Sequence, residues 1–341
     1  NVLDAGQPVL DEALMRLLRW CWQYYKHAPG DVVATALPPA LRSARGELPG
    51  PPLRYRLSAT GQAQLEEAPG RAPVQHAMLQ ALADGPRSAG RLVEIGSRWR
   101  KTLDTLIERE WVVAEAEAPA RPQPAAGPEL TAGKREALNA IREAPPGFRC
   151  HLLDGVTGSG KTEVYMCLLE RVLAAGDQAL VLVPEIGLTP QLLRRFSQRL
   201  GLEPVVIHSG LAAGERLAAW EAMRSGRGAL LVGTRSALFT PMPRLRLLVL
   251  DEEHDASFKQ QDGFRYNARD VAIKRAQLEA CPVLLGSATP SLESLRNARE
   301  GRYGWQRLLE RATLASLPAW RVLDLRQQEL RETQRIAQLG S

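Results

Sequence analysis

"CHLLDGVTGSGKTEVYMCLLERVLAAG", Cys150 to Gly176, is the stretch on which the reading of this chain turns. An apolar run, a glycine-rich loop and a helical pattern follow one another without a spacer. Within it "GVTGSGKT", Gly155 to Thr162, fits G-x-x-x-x-G-K-[ST] in full and stands between a strand and a helix, the setting that gives the pattern its meaning. Gly155, Gly158 and Gly160 allow successive N–H groups to point inward, so that a loop completed by Val156, Thr157 and Ser159 can cradle phosphate oxygens at a helix N-terminus. Lys161 supplies charge for the β- and γ-phosphates. The Thr162 hydroxyl suits Mg2+, a hard cation that takes oxygen ligands. ATP and Mg2+ are the cofactors this predicts.

Outward from the loop, short runs that are apolar on both faces ("CHLLDG", "ALVLVPE", "PVVIHSG", "GALLVGT", "LRLLVLDE", "CPVLLGSAT") alternate with helical segments. That alternation predicts an α/β fold with a parallel sheet covered by helices on both sides. Open sheets of this kind bind ligands at the carboxyl ends of their strands. Asp251, directly after "LLVL", is the candidate metal-binding carboxylate there, and Glu252 is placed to orient or deprotonate a water attacking the γ-phosphate. Behind them Phe258, Lys259, Phe264, Arg265, Tyr266 and Arg269 interleave rings with cations, a mixture suited to single-stranded nucleic acid. Rings packed beneath a loop are the other reading of that pattern.

The 341 residues predict two or three domains. No apolar run approaches the ~20 residues of a membrane span, and the opening has no secretory pattern, so a cytoplasmic protein without membrane contact is expected. Cys21, Cys150, Cys167 and Cys281 are isolated from one another, which argues for reduced buried thiols and against a zinc site in this chain. A net charge of +6 favours polyanionic partners. Because only six of the 44 basic residues are lysine, the excess of arginine points first to a compositionally biased genome.

Two Pro/Gly-rich stretches, "ARGELPGPP" (44–52) and "EAPARPQPAAGPEL" (117–130), divide the chain into three pieces. In the first, Leu14, Leu17, Leu18 and Cys21 follow helical spacing until Pro29 and Gly30. Its Trp20, Trp22, Tyr24 and Tyr25 read as packing sooner than as base-stacking surfaces. The middle piece reads as three helices and a strand, the order of a winged helix. Its third helix begins at an N-cap, Ser97, and carries Arg98, Arg100 and Lys101, either as DNA contacts or as solvated cations.

"GVTGSGKTEVY", "LVPEIGLTPQ", "HSGL", "VGTRSALFTP", "DEEHDASFKQQDGFRYNARD" and "LGSATPSLESL" come in the order of the superfamily 2 helicase motifs, and together they resemble the PriA (primosomal protein N′) family of replication-restart helicases. The resemblance covers about Leu130 to Asp324. It implies a RecA-like ATP-binding lobe at 130–326, a linker at 117–129, a winged-helix domain at 53–116, the end of a 3′-DNA-binding domain at 1–46, and at 327–341 the start of a connection to a second lobe. It implies that His254 of "DEEH" joins nucleotide state to the DNA side, and that Ser287 and Thr289 of "GSAT" couple hydrolysis to movement. By the same resemblance Thr234, Arg235 and Ser236 of "GTRS", with Thr189 and Gln191 of "TPQ", would hold strand phosphates, and the aromatic segment would sense DNA beside the ATP site.

Function by resemblance is ATP-dependent 3′-to-5′ unwinding by a monomer at stalled or abandoned forks, on single-stranded and forked DNA. Single-stranded DNA-binding protein and other primosome proteins would be its partners. A non-motor DNA-binding module switched by ATP, or another superfamily 2 translocase, is the alternative. One departure is Lys134, which stands where the family places an adenine-reading Gln and cannot both donate and accept as an amide does. The zinc region and second lobe of the family would follow Ser341, so the chain alone is expected to hold half of an ATP pocket and not to unwind DNA.

Overall fold

The computed structural model describes residues 8–42, 53–67, 73–88, 99–116 and 122–311, together with Leu92 and Ile95. The expected connection at 327–341, the last residues of the expected lobe (312–326), Arg98 and the Ser97 cap lie outside these residues.

Helix α1 (Glu12–Tyr24) starts at Asp11, whose carboxylate accepts the Leu14 N–H at 2.7 Å. Its predicted stripe of Leu14, Leu17, Leu18 and Cys21 is fully buried. Helix α2 (Pro29–Ala36) follows, with Pro29 at the position where a missing N–H costs nothing. Both helices share one apolar core with the large sheet described below, and the Trp220 indole donates to Ala36 O at 2.9 Å.

Residues 53–116 have a core of their own around Met78, Leu79, Leu82, Leu92, Leu103 and Leu106. Strands β1 (Leu53–Leu57), β2 (Arg87–Ser88) and β3 (Val112–Ala116) form an antiparallel sheet in the order β2-β1-β3. Among the described residues, helices α3 (Ala59–Glu67), α4 (Pro73–Ala83) and α5 (Trp99–Glu108) belong to the same unit. Strands β1 and β2 and helix α3 are additions to the sequence reading, whose second helix, 88–96, lies mostly outside the described residues; "LRYRL" places its polar residues on one face, a weak signal in five residues.

The third piece opens with α6 (Ala132–Arg142) and continues as β4 (Cys150–Gly155), α7 (Lys161–Ala174), β5 (Gln178–Leu182), α8 (Pro190–Leu200), β6 (Val205–Ile207), α9 (Ala213–Arg224), β7 (Leu230–Gly233), β8 (Leu245–Asp251), α10 (Ala268–Leu278), β9 (Val283–Ser287), α11 (Leu292–Arg299) and β10 (Gly304–Leu308). Among the described residues its seven strands are all parallel, in the order β10-β4-β9-β8-β5-β7-β6. This is the α/β, RecA-like arrangement predicted, with one strand more: β10 is a half-buried edge whose "GWQRL" lacks an apolar run.

Alternate residues of each strand enter two cores. Leu180 and Leu182 face α1, α2 and α10, whereas Ala179 and Val181 face α6, α7 and α8. Each buried leucine contributes about 1.5–3 kcal/mol, which is why the strands can dispense with polar faces. The four cysteines are free thiols inside these cores. Burial pushes Cys21 and Cys281 up to about 12 and Cys150 higher still, leaving little thiolate to react.

Candidate nucleotide and strand-binding site

The strand order puts β9 alone between β4 and β8, so the loop after β4, the turn after β8 and the end of β9 meet at one edge. Gly158 and Gly160 adopt left-handed backbone (φ +78° and +84°), which turns the loop into the first N–H groups of α7. Gly155 leaves no room for a side chain: a Cβ there would lie 2.6 Å from Ser159 Oγ. That hydroxyl is buried with no partner, an orphan that suits a phosphate oxygen. Val156, Thr157 and Gly158 are exposed.

Lys161 Nζ donates to Gly155 O at 3.0 Å and lies 3.6 Å from the Glu252 carboxylate. Asp251 ends β8, one residue before it. Burial holds the Asp251 carboxyl above its ordinary range; the neighbouring Glu252 charge adds to this, while Tyr165 and Lys161 oppose it. Tyr165 donates its hydroxyl to Asp251 Oδ1 at 3.0 Å, and burial raises the phenol well above its usual pKa, so it remains a donor. Glu252 has φ +50°, a left-handed conformation uncommon for a residue with a side chain. Strain of this kind concentrates where a side chain must be aimed. Thr162 lies in the first turn of α7 and Asp251 ends β8; as candidate ligands they would offer two oxygens, fewer than Mg2+ needs alone and suited to an ion that keeps waters and phosphate oxygens.

His254 joins this turn to β9. Its Nδ1 is 2.7 Å from Ser287 Oγ, its Nε2 3.2 Å from Thr289 Oγ1, and Glu252 Oε2 lies 3.7 Å away. The third acid of "DEEH" went unassigned in the sequence reading. Glu253 is fully buried and accepts from Ser291 N–H (2.7 Å), the Ser291 and Ser294 hydroxyls (3.1 Å each) and Arg269 (3.1 Å). It ties the acidic turn to the start of α11 and, through Arg269, to α10.

The aromatic segment departs from the stacking expectation. Phe258, Phe264 and Tyr266 are 2%, 5% and 5% exposed, so their faces cannot receive bases in this conformation. Phe264 packs on Tyr266 at 4.9 Å and meets Tyr25 and His27 edge-on, while Tyr266 meets Phe239. The covering residues come from the N-terminal piece, some 240 positions away in sequence. Arg269 is likewise committed, to Glu253 and the Ser291 hydroxyl. Lys259 and Arg265 remain exposed along a cavity of about 610 Å³.

Of the strand-tracking candidates, Thr189 caps α8 by accepting from Leu192 N–H, and Gln191 is exposed beside it. Thr234 is buried. Arg235 donates to Ser257 O at 2.8 Å, fastening the aromatic segment's backbone. With Ser236 they line a cavity of about 430 Å³ that also receives Arg42, Arg216 and Ser209; the two added arginines went unnoticed because they lie outside any motif. Arg100 stacks over Trp99 and Lys101 is exposed, both on α5, remote in sequence from the cleft. Lys134, at the expected Gln position, is buried on α6.

Residues 131–298 match the DEAD/DEAH box helicase family. The replication restart protein PriA of Haemophilus influenzae is 39% identical over 321 residues, an alignment covering 92% of this chain and 44% of that protein. The chain belongs to the PriA family. PriA of Bacillus subtilis is 46% identical over 208 residues (60% of this chain, 26% of its own), and PriA of Synechocystis is 48% identical over 204 (58% and 24%). The chain thus spans less than half the length of these PriA relatives. Among solved structures, that of RecG bound to a three-way DNA junction aligns with 62% of this chain and 25% of its own, with a TM-score of 0.40 and 20% identity.

Proposed function

We propose that this chain is the ATP-binding motor portion of a DNA helicase that acts at stalled or abandoned replication forks, moves 3′ to 5′, and restarts replication through primosome assembly. The observation that carries the reading is the 3.6 Å approach of Lys161 to Glu252, with Asp251 adjacent: the phosphate loop and the acidic turn close on one cleft.

In this reading the N–H groups of Gly155 to Thr162 hold the phosphates, and the Ser159 hydroxyl finds its partner there. Lys161 neutralises β/γ charge. Thr162 and Asp251 are the residues that would hold Mg2+, which when bound supplies charge neutralisation at the phosphoryl oxygens. Glu252, aimed by its strained backbone, orients the attacking water and accepts its proton. His254, touching both Glu252 and the Ser287–Thr289 pair, passes the state of the cleft to the end of β9.

Strand phosphates would run past Thr189, Gln191, Thr234, Arg235 and Ser236, with Lys259 and Arg265 alongside, and Arg100 and Lys101 would meet duplex DNA from a winged-helix domain. Single-stranded DNA-binding protein and other primosome proteins are the proposed partners of a monomeric motor. The test is DNA-stimulated ATPase activity in a chimera that joins this chain to the remaining length of a PriA relative. Glu252→Gln should keep ATP binding and abolish turnover; unchanged turnover in that variant would overturn the assignment.

A further inference from the structure

We propose that Tyr165 is a positioning residue for the metal-binding carboxylate, fixing which oxygen of Asp251 faces the cation; this rests on the nucleotide-site reading above. Tyr165 lies one turn after Lys161 on α7 and is fully buried. Its hydroxyl donates to Asp251 Oδ1 at 3.0 Å, and the Glu252 N–H donates to the same atom at 3.2 Å. Oδ1 is thereby occupied by two donors. Oδ2 receives no hydrogen bond from the described residues. A carboxylate held in this way keeps one oxygen for the protein and offers the other, with its rotation about Cβ–Cγ already restricted.

The route between α7 and Asp251 crosses β9, and there the structure has made room. Gly286 pairs with Asp251 on one side and with Leu153 on the other. A Cβ on Gly286 would sit 1.5 Å from the Tyr165 oxygen and 2.7 Å from its Cζ. Gly286 has no positive φ that would call for glycine on backbone grounds. What demands a bare Cα is the phenol passing over it. A tyrosine that needed only any acceptor for its hydroxyl would not require a cleared path through the intervening strand to one particular carboxylate.

The experiment is a Mg2+ titration of fluorescent ATP-analogue binding to the 341-residue chain, with a parallel series in EDTA. Tyr165→Phe removes one oxygen and keeps the ring. It should raise the Mg2+ concentration for half-saturation about 10- to 100-fold, the usual cost of losing an outer-shell partner, while affinity in EDTA stays as in the wild type. Gly286→Ala, which displaces the phenol with Tyr165 still present, should show the same Mg2+-specific loss. Asp251→Asn marks the floor. A Tyr165→Phe titration superimposable on the wild type, or an equal loss with and without Mg2+, overturns the positioning role. Should the wild-type chain show no Mg2+-dependent binding at all, the nucleotide-site reading falls as well, a result distinguishable from the first two.

Discussion

The two segments that flank Asp251 are built on opposite plans. The phosphate loop, 155–162, keeps its side chains few and small and works through its backbone, with one hydroxyl, Ser159, left buried and unpartnered. The aromatic segment, 258–269, turns three rings into the core, ties Arg269 to a buried carboxylate and leaves Lys259 and Arg265 outside. One is a receptacle, with a donor left over for a ligand. The other is a plug, whose own side chains already satisfy one another. Nucleotide at the first asks Lys161 to exchange its bond to Gly155 O for a phosphate, whereas any base stacking on the second requires its rings to leave a core that also contains Tyr25 and His27.

The comparison breaks most sharply at Lys161. Lys161→Ala should reduce ATP-analogue binding to background with little change in melting temperature, since the lysine's partners are one carbonyl and a half-exposed carboxylate. Binding that survives would mean that the receptacle lies elsewhere. Phe264→Ala should do the reverse: it should cost about 3–5 kcal/mol in denaturant unfolding and leave nucleotide affinity alone in the folded fraction. A variant as stable as the wild type but poorer in single-stranded DNA binding would show that the ring spends its time outside. Next in size is Glu253→Gln, which removes the charge opposite Arg269 and weakens four hydrogen bonds, a loss of about 2–3 kcal/mol by chemical denaturation. Full stability would mean that the pair adds nothing to holding the turn.

How far each segment was legible in the sequence follows from the same contrast. A glycine that must turn the backbone or leave room within its own loop acts on its neighbours, so Gly155, Gly158 and Gly160 carry their meaning locally, and a carboxylate directly after an apolar run reads as the end of a strand. An aromatic residue has no such local meaning. Phe264 would look the same in the chain whether it met a base or Tyr25, and what decides is a helix supplied from some 240 residues earlier. Glu253 was hidden for a related reason: beside Asp251 and Glu252 it passes for one more solvated acid, and its partners Arg269, Ser291 and Ser294 are 16 to 41 residues away. Strand β10 escaped because an edge strand that is half-buried has no need of an apolar run.

The smallest expected effect concerns what the plug leaves outside. Arg265 is exposed, lines the open cavity with Lys259, and has the rings of its own segment turned away into the core. If it meets nucleic acid in this conformation it does so as a point charge on a phosphate, and a phosphate contact weakens binding about equally for every sequence. Arg265→Ala should therefore leave the melting temperature unchanged, lower single-stranded DNA affinity uniformly across oligonucleotides, and reduce the dependence of log K on log salt by about one. A loss that varies with base composition would point instead to stacking, and would imply that the rings of 258–266 come out when DNA arrives.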